Sequence, residues 1–196
     1  MKIRLLIGVW SVLIALFLTA LPAGADSQSA PKGEYQRTEE KYKIPDVTLL
    51  NQDGKKIKLK SILDPGKPVI IDFIYTTCTT ICPVLSANFL NLQNRLGGSA
   101  GSLQLISISI DPEHDSPEQM KKYMQRFRAK KGWDFLTGRR DDIILVLKAF
   151  DASVKDKMSH IPLYILRGPK ADEWVRIHGM VGASDLMNEL DRLPKK

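Results

Sequence analysis

The chain has 196 residues, 43% hydrophobic and 26% charged, with two cysteines and a formal net charge of +7. That length suffices for one domain with a proper core, and the modest basic excess, with no interleaved aromatics, reads as a solvated surface and argues against nucleic-acid binding. Two cysteines in one short motif also argue against a fold held by scattered disulfide staples.

Lys2 and Arg4 open the chain, and Leu5 to Leu21 follow as 17 residues without a charge. Ala23-Gly24-Ala25 then presents small residues at the spacing a signal peptidase reads. Residues 1–25 are therefore expected to be a signal peptide. An uncleaved membrane anchor is the alternative, at the short limit for a spanning helix. Both imply an exported domain, periplasmic or tethered to the outer face of the inner membrane. Residues 26–43 are polar and read as a linker, leaving 44–196 as the folded domain.

Residues 44–60 predict a hairpin. Val47, Leu49, Ile57 and Leu59 alternate about an Asn51-Gln52-Asp53-Gly54 turn. Val69 to Tyr75 is short, mostly apolar and rich in β-branched residues, as in a buried central strand. Ile81, Leu85, Phe89, Leu92 and Leu96 then recur at helical spacing, and Gly97-Gly98 ends the helix. Leu103 to Ile110 predicts a second buried strand. Ser116-Pro117-Glu118 starts a helix, with Ser116 as cap and proline at its first position, running to about Lys130. Asp141 or Asp142 is expected to cap a third helix through Phe150. Residues 162–166 and 173–178 predict two strands joined by a short link, hence antiparallel, and 183–193 a closing helix. Strands alternating with helices imply βαβ units. The expected fold is α/β and thioredoxin-like: a central mixed sheet, helices on both faces and an N-terminal β-hairpin.

Cys78 and Cys82 lie where the first central strand gives way to a helix. Residues four apart on a helix share a face, so both sulfurs can point at one spot. A helix N-terminus favours thiolate, the form that binds metal and attacks disulfides. A bridge between them closes too short a loop to stabilise the fold much, which favours chemistry over stapling. Two thiolates with an imidazole suit copper(I), and also copper(II) or zinc. A reversible disulfide would instead make the pair the catalytic centre of a thiol oxidoreductase, although the usual motif has two intervening residues and this one has three. Buried, inert cysteines are the remaining reading.

Tyr75-Thr76-Thr77-Cys78-Thr79-Thr80-Ile81-Cys82-Pro83 resembles the copper-motif segment of the Sco family, SenC-type copper proteins of cytochrome c oxidase assembly. Residues Ser109 to Pro117 resemble the segment that follows the family's next strand, and Phe135-Leu136-Thr137-Gly138 a later loop. The resemblance spans about Pro45 to Leu190 in the right order. It implies a thioredoxin fold and copper held by Cys78, Cys82 and a histidine. It also implies delivery of copper, or of reducing equivalents, to the copper-site subunit of an oxidase. Other copper chaperones or thiol reductants would be further partners, and a monomer is the default state.

The family's ligand histidine lies just before a strand, where Ser159-His160-Ile161-Pro162 stands here, so the resemblance assigns that role to His160. A proline entering such a strand is often cis and packs against the cysteine helix. His178, near a strand end, and His114, in the Asp111–Pro117 loop, are the other imidazoles. Met158 reads as a gap-filling side chain, with a copper contact as its alternative. Asp111 and Asp115 read as turn and cap residues, with orientation of the ligands as a second role.

Overall fold

The computed structural model describes residues 35–64 and 66–194. The expected leader lies outside the described residues, which include no helix long and apolar enough to cross a membrane.

Among the described residues, eight strands form one sheet. In chain order they are β1 (Gln36–Glu40), β2 (Thr48–Asn51), β3 (Lys56–Lys58), β4 (Val69–Ile74), β5 (Gln104–Ser109), β6 (Trp133–Thr137), β7 (Leu163–Arg167) and β8 (Trp174–His178). Their spatial order is β1-β8-β7-β4-β5-β6-β2-β3. Strand β4 is central, parallel to β5 and antiparallel to β7, and β5 is parallel to β6. Every residue of β4 is buried, which is why its sequence is an apolar run without alternation.

Five α-helices among the described residues flank the sheet: α1 (Leu59–Leu63), α2 (Ile81–Leu96), α3 (Pro117–Arg126), α4 (Arg140–Ala149) and α5 (Ala183–Arg192). One core cluster joins Ile70 and Ile74 of β4 to Leu85 and Phe89 of α2, Tyr123 of α3 and Leu186 of α5. The opposite face packs Val69, Ile71 and Phe73 against Leu59 and Leu63 of α1 and Val146 of α4. Helices therefore cover both faces, as expected, and β7 and β8 pair antiparallel. Ser116 caps α3, accepting from Gln119 N–H, with Pro117 in the first turn.

Several expectations need correction. Residues 36–40, read as part of a linker, form β1 against β8, in register from Gln36↔His178 to Glu40↔Trp174. Its side chains are mostly exposed, so no apolar pattern marks it. Tyr35 Oη and Arg37 Nε instead bind buried Glu189 at 2.7 and 2.8 Å. Phe135, Leu136 and Thr137, read as part of a loop, belong to strand β6, which pairs with β5 and β2. The predicted hairpin ends at Lys58, and Leu59 starts α1. Helix α3 stops at Arg126, short of Lys130. Asp141 and Asp142 sit in the first turn of α4 and do not cap it; the cap position is Arg139. No peptide bond among the described residues is cis, Ile161–Pro162 included.

Candidate metal and thiol centre

Strand β4 ends at Ile74, and residues 75–80 turn the chain into α2. Cys78 lies in that turn and Cys82 in the first turn of the helix, so the pair does not share a helix face as expected. The turn brings the sulfurs together in another way. Cys78 Sγ accepts the backbone N–H of Cys82 at 3.4 Å, and the two side chains are within hydrogen-bonding reach of each other. Thr80 Oγ1 is 3.6 Å from the same sulfur.

The environment makes the two thiols unequal. Burial opposes ionisation of Cys78, but hydrogen bonds from the Cys82 thiol and from the backbone N–H groups of Cys82 and Thr80 outweigh it, bringing Cys78 down to about 7. Cys82 is pushed well above the usual thiol range, first by burial and then by the adjacent Cys78 sulfur. One sulfur is poised as thiolate and the other holds a proton. The site is also nearly closed to solvent. Cys82 is fully buried, and Cys78 keeps 6% of its surface, because both pack with Ile74, Tyr75 and Leu85.

Asp115 fixes the turn from below. It is buried, and its carboxylate accepts Thr76 N–H at 3.1 Å, Thr76 Oγ1 at 2.5 Å and Ser109 Oγ at 2.6 Å. The end of β4 is thus tied to the end of β5. Asp111 binds Lys157 Nζ at 2.5 Å and His114 Nδ1 at 3.0 Å. His114 is accordingly occupied by Asp111, with 61% of its side chain exposed.

His160 follows a short 3-10 turn, Lys157–Ser159, and precedes β7. Both its ring nitrogens are buried without a hydrogen-bond partner. Burial lowers its pKa to about 4, so the ring is neutral at physiological pH, the state a metal requires. Unsatisfied buried nitrogens are costly unless something engages them. His178, at the end of β8, also has an unpartnered buried Nε2. The turn before His160 contacts the cysteine motif. Lys157 Nζ sits 5.6 Å over the Tyr75 ring, and Met158 Sδ accepts Tyr75 Oη at 3.5 Å. Tyr75 is raised to about 12, first by burial and then by its contact with Cys78. Among the described residues, no three His, Cys, Asp or Glu groups enclose a ready metal position. The structure thus pairs the cysteines and docks the His160 segment beside them, without closing a three-ligand cage.

Asp72 went unnoticed in the apolar run. Ile70 and Ile74 point to the cysteine side of the sheet, so alternation puts Asp72 there too. It is fully buried, and no hydrogen bond closes on either carboxyl oxygen. Burial raises its pKa from 3.8 to about 7, with nearby Ser107 opposing weakly. The native carboxyl holds its proton over a range in which the unfolded one has released it. The contribution of this carboxyl to native stability therefore falls as pH rises between those two values. The loss levels off at about 4 kcal/mol. Asp72→Asn is expected to remove that fall. In urea unfolding at about pH 4 and about pH 8, the variant should gain several kcal/mol on the wild type. A stability difference independent of pH would contradict this.

The SCO1/SenC family model matches residues 35–177. The chain belongs to the SCO1/SenC family. The SCO1 protein homolog of Bacillus subtilis (strain 168) is 38% identical over 136 residues, 65% of this chain and 69% of that protein. The solved structure of BsSco, described as a Sco-family cytochrome c oxidase assembly protein with a disulfide switch, aligns at TM-score 0.64 and 33% identity. That alignment covers 78% of this chain and 93% of BsSco. Bradyrhizobium japonicum ScoI with copper bound aligns at TM-score 0.60 and 26% identity, over 75% of this chain and 96% of that one. The Sco fold of these neighbours is thioredoxin-like, as the element order predicts.

Proposed function

We propose that this SCO1/SenC protein binds copper as cargo for the assembly of a respiratory cytochrome c oxidase. Reduced Cys78 and Cys82 hold one copper ion, and His160 supplies the third ligand. The observation that carries the reading is the Cys82 N–H on Cys78 Sγ, which stabilises one thiolate beside a second sulfur. The unpartnered nitrogens of His160 fit a neutral imidazole ligand. The copper-bound relative and the oxidase-assembly relative support the metal and the pathway. Soft sulfur ligands select copper(I), so hand-over to an oxidase copper-site subunit is exchange between thiolates with no change of oxidation state. Other copper chaperones or thiol reductants would load or reduce the pair. The protein acts outside the cytoplasm, in the periplasm or held at the membrane by residues 1–25.

The unequal thiols favour a second reading, thiol–disulfide exchange. The Cys78 thiolate attacks a partner disulfide, forming one mixed bond and releasing a partner thiolate. Cys82 then loses its proton and attacks the Cys78 sulfur, releasing the second partner thiolate and leaving Cys78–Cys82 oxidised. The two readings separate in one variant. His160→Ala should weaken copper(I) binding by at least about tenfold in competition with a chromophoric chelator, leaving disulfide exchange at the wild-type rate. Unchanged copper affinity in His160→Ala would favour the thiol oxidoreductase.

A further inference from the structure

Met158 does not fill a gap. It is 72% exposed, the largest value among the exposed large hydrophobic side chains of the described residues. The turn that presents it is nonetheless well anchored. Asp156 Oδ1 accepts Met158 N–H at 2.9 Å, and Ser159 Oγ donates to Asp156 O at 2.7 Å. Lys157 is held by Asp111 and by the Tyr75 ring. The thioether itself is held by Tyr75 Oη, and Tyr75 packs in the same core cluster as Cys78, whose backbone N–H it accepts at 3.1 Å. An exposed soft sulfur is thus fixed on the tyrosine that opens the cysteine motif, two residues before His160.

Packing accounts for none of this, since most of the side chain is in solvent. A thioether is a neutral, soft donor that suits copper(I) and holds it more loosely than a thiolate. Given the copper reading above, we infer that Met158 is the surface ligand through which copper(I) enters and leaves the site. The ion first binds the exposed thioether. Displacement of the Tyr75 hydroxyl from Met158 Sδ then lets it pass to Cys78 and on to Cys82 and His160. No electron moves in any step. The Cys82 proton is released to solvent as its sulfur binds the metal.

The test supplies copper(I) as its bicinchoninate complex to the reduced protein and follows transfer by stopped flow. Met158→Leu keeps the size and removes the sulfur. Uptake should slow about tenfold, with equilibrium affinity and melting temperature unchanged. A capture experiment complements the rates. Selenomethionine-labelled Cys82→Ser protein, loaded with one copper(I), should show a copper neighbour at the selenium absorption edge. That neighbour should vanish when Met158→Leu is added. Equal uptake rates in wild type and Met158→Leu, or no selenium–copper neighbour, overturns this role and leaves the cysteine–histidine reading standing. Failure of the wild-type protein to take copper(I) at all sinks both.

Discussion

Cys82→Ala is expected to abolish tight copper(I) binding and to move the ionisation of Cys78 up by about one pH unit. The two effects have separate causes. Copper is lost because a single thiolate and an imidazole replace a two-sulfur site. The ionisation changes because burial, the largest influence on Cys78, is offset chiefly by the Cys82 thiol. Cys82→Ser pulls the two apart. Its hydroxyl still donates to the Cys78 sulfur, so the thiolate should persist while tight copper binding is lost. Thiolate ultraviolet absorbance through a pH titration reads one effect, and chelator competition the other. Wild-type ionisation of Cys78 in Cys82→Ala would show that the backbone N–H of Cys82 and the groups of Thr80 sustain the thiolate without the second thiol.

Asp115→Ala is expected to cost about 3 kcal/mol or more of stability and to weaken copper binding without touching a ligand. Thr76 N–H, Thr76 Oγ1 and Ser109 Oγ all donate to this buried carboxylate. Removing it strands them and frees the turn that aims Cys78. Asp115→Asn keeps one acceptor oxygen of the same shape and should lose less on both measures. Denaturant midpoints and copper affinities of the two variants check this. A loss under about 1 kcal/mol in the alanine variant would mean that the turn is held elsewhere.

How much of this was legible in the sequence depends on the range of the forces involved. Strand β4 and helix α2 announced themselves because burial leaves a local pattern in Val69 to Ile74 and in Leu85, Phe89 and Leu92. Ser116 and Pro117 did so because a cap is a contact between near neighbours. Strand β1 gave no such signal. Its order comes from a ladder to β8 and from Arg37 reaching Glu189, 152 residues away. Strand β6 was hidden by Gly132 before it and by Asp134 within it, whose carboxylate binds Gln104 at 2.8 Å.

The cysteine pair was visible as a spacing, but not its asymmetry. The inequality arises from how the turn wraps Cys78 over the first N–H groups of α2, and a helical-face argument has no access to that. Asp72 did carry a signal, a carboxylate inside an apolar strand run, which could have marked it as a group kept for a purpose. His160 was reachable through the resemblance alone. Its unpartnered nitrogens depend on tertiary burial, which leaves no local pattern.

X-ray absorption at the copper edge, on the reduced protein loaded with one equivalent of copper, is the most direct measurement. Two sulfur scatterers and one imidazole nitrogen are predicted, the nitrogen disappearing in His160→Ala. A first shell with no sulfur, or with two sulfurs and an imidazole that survives in His160→Ala, would contradict the assignment.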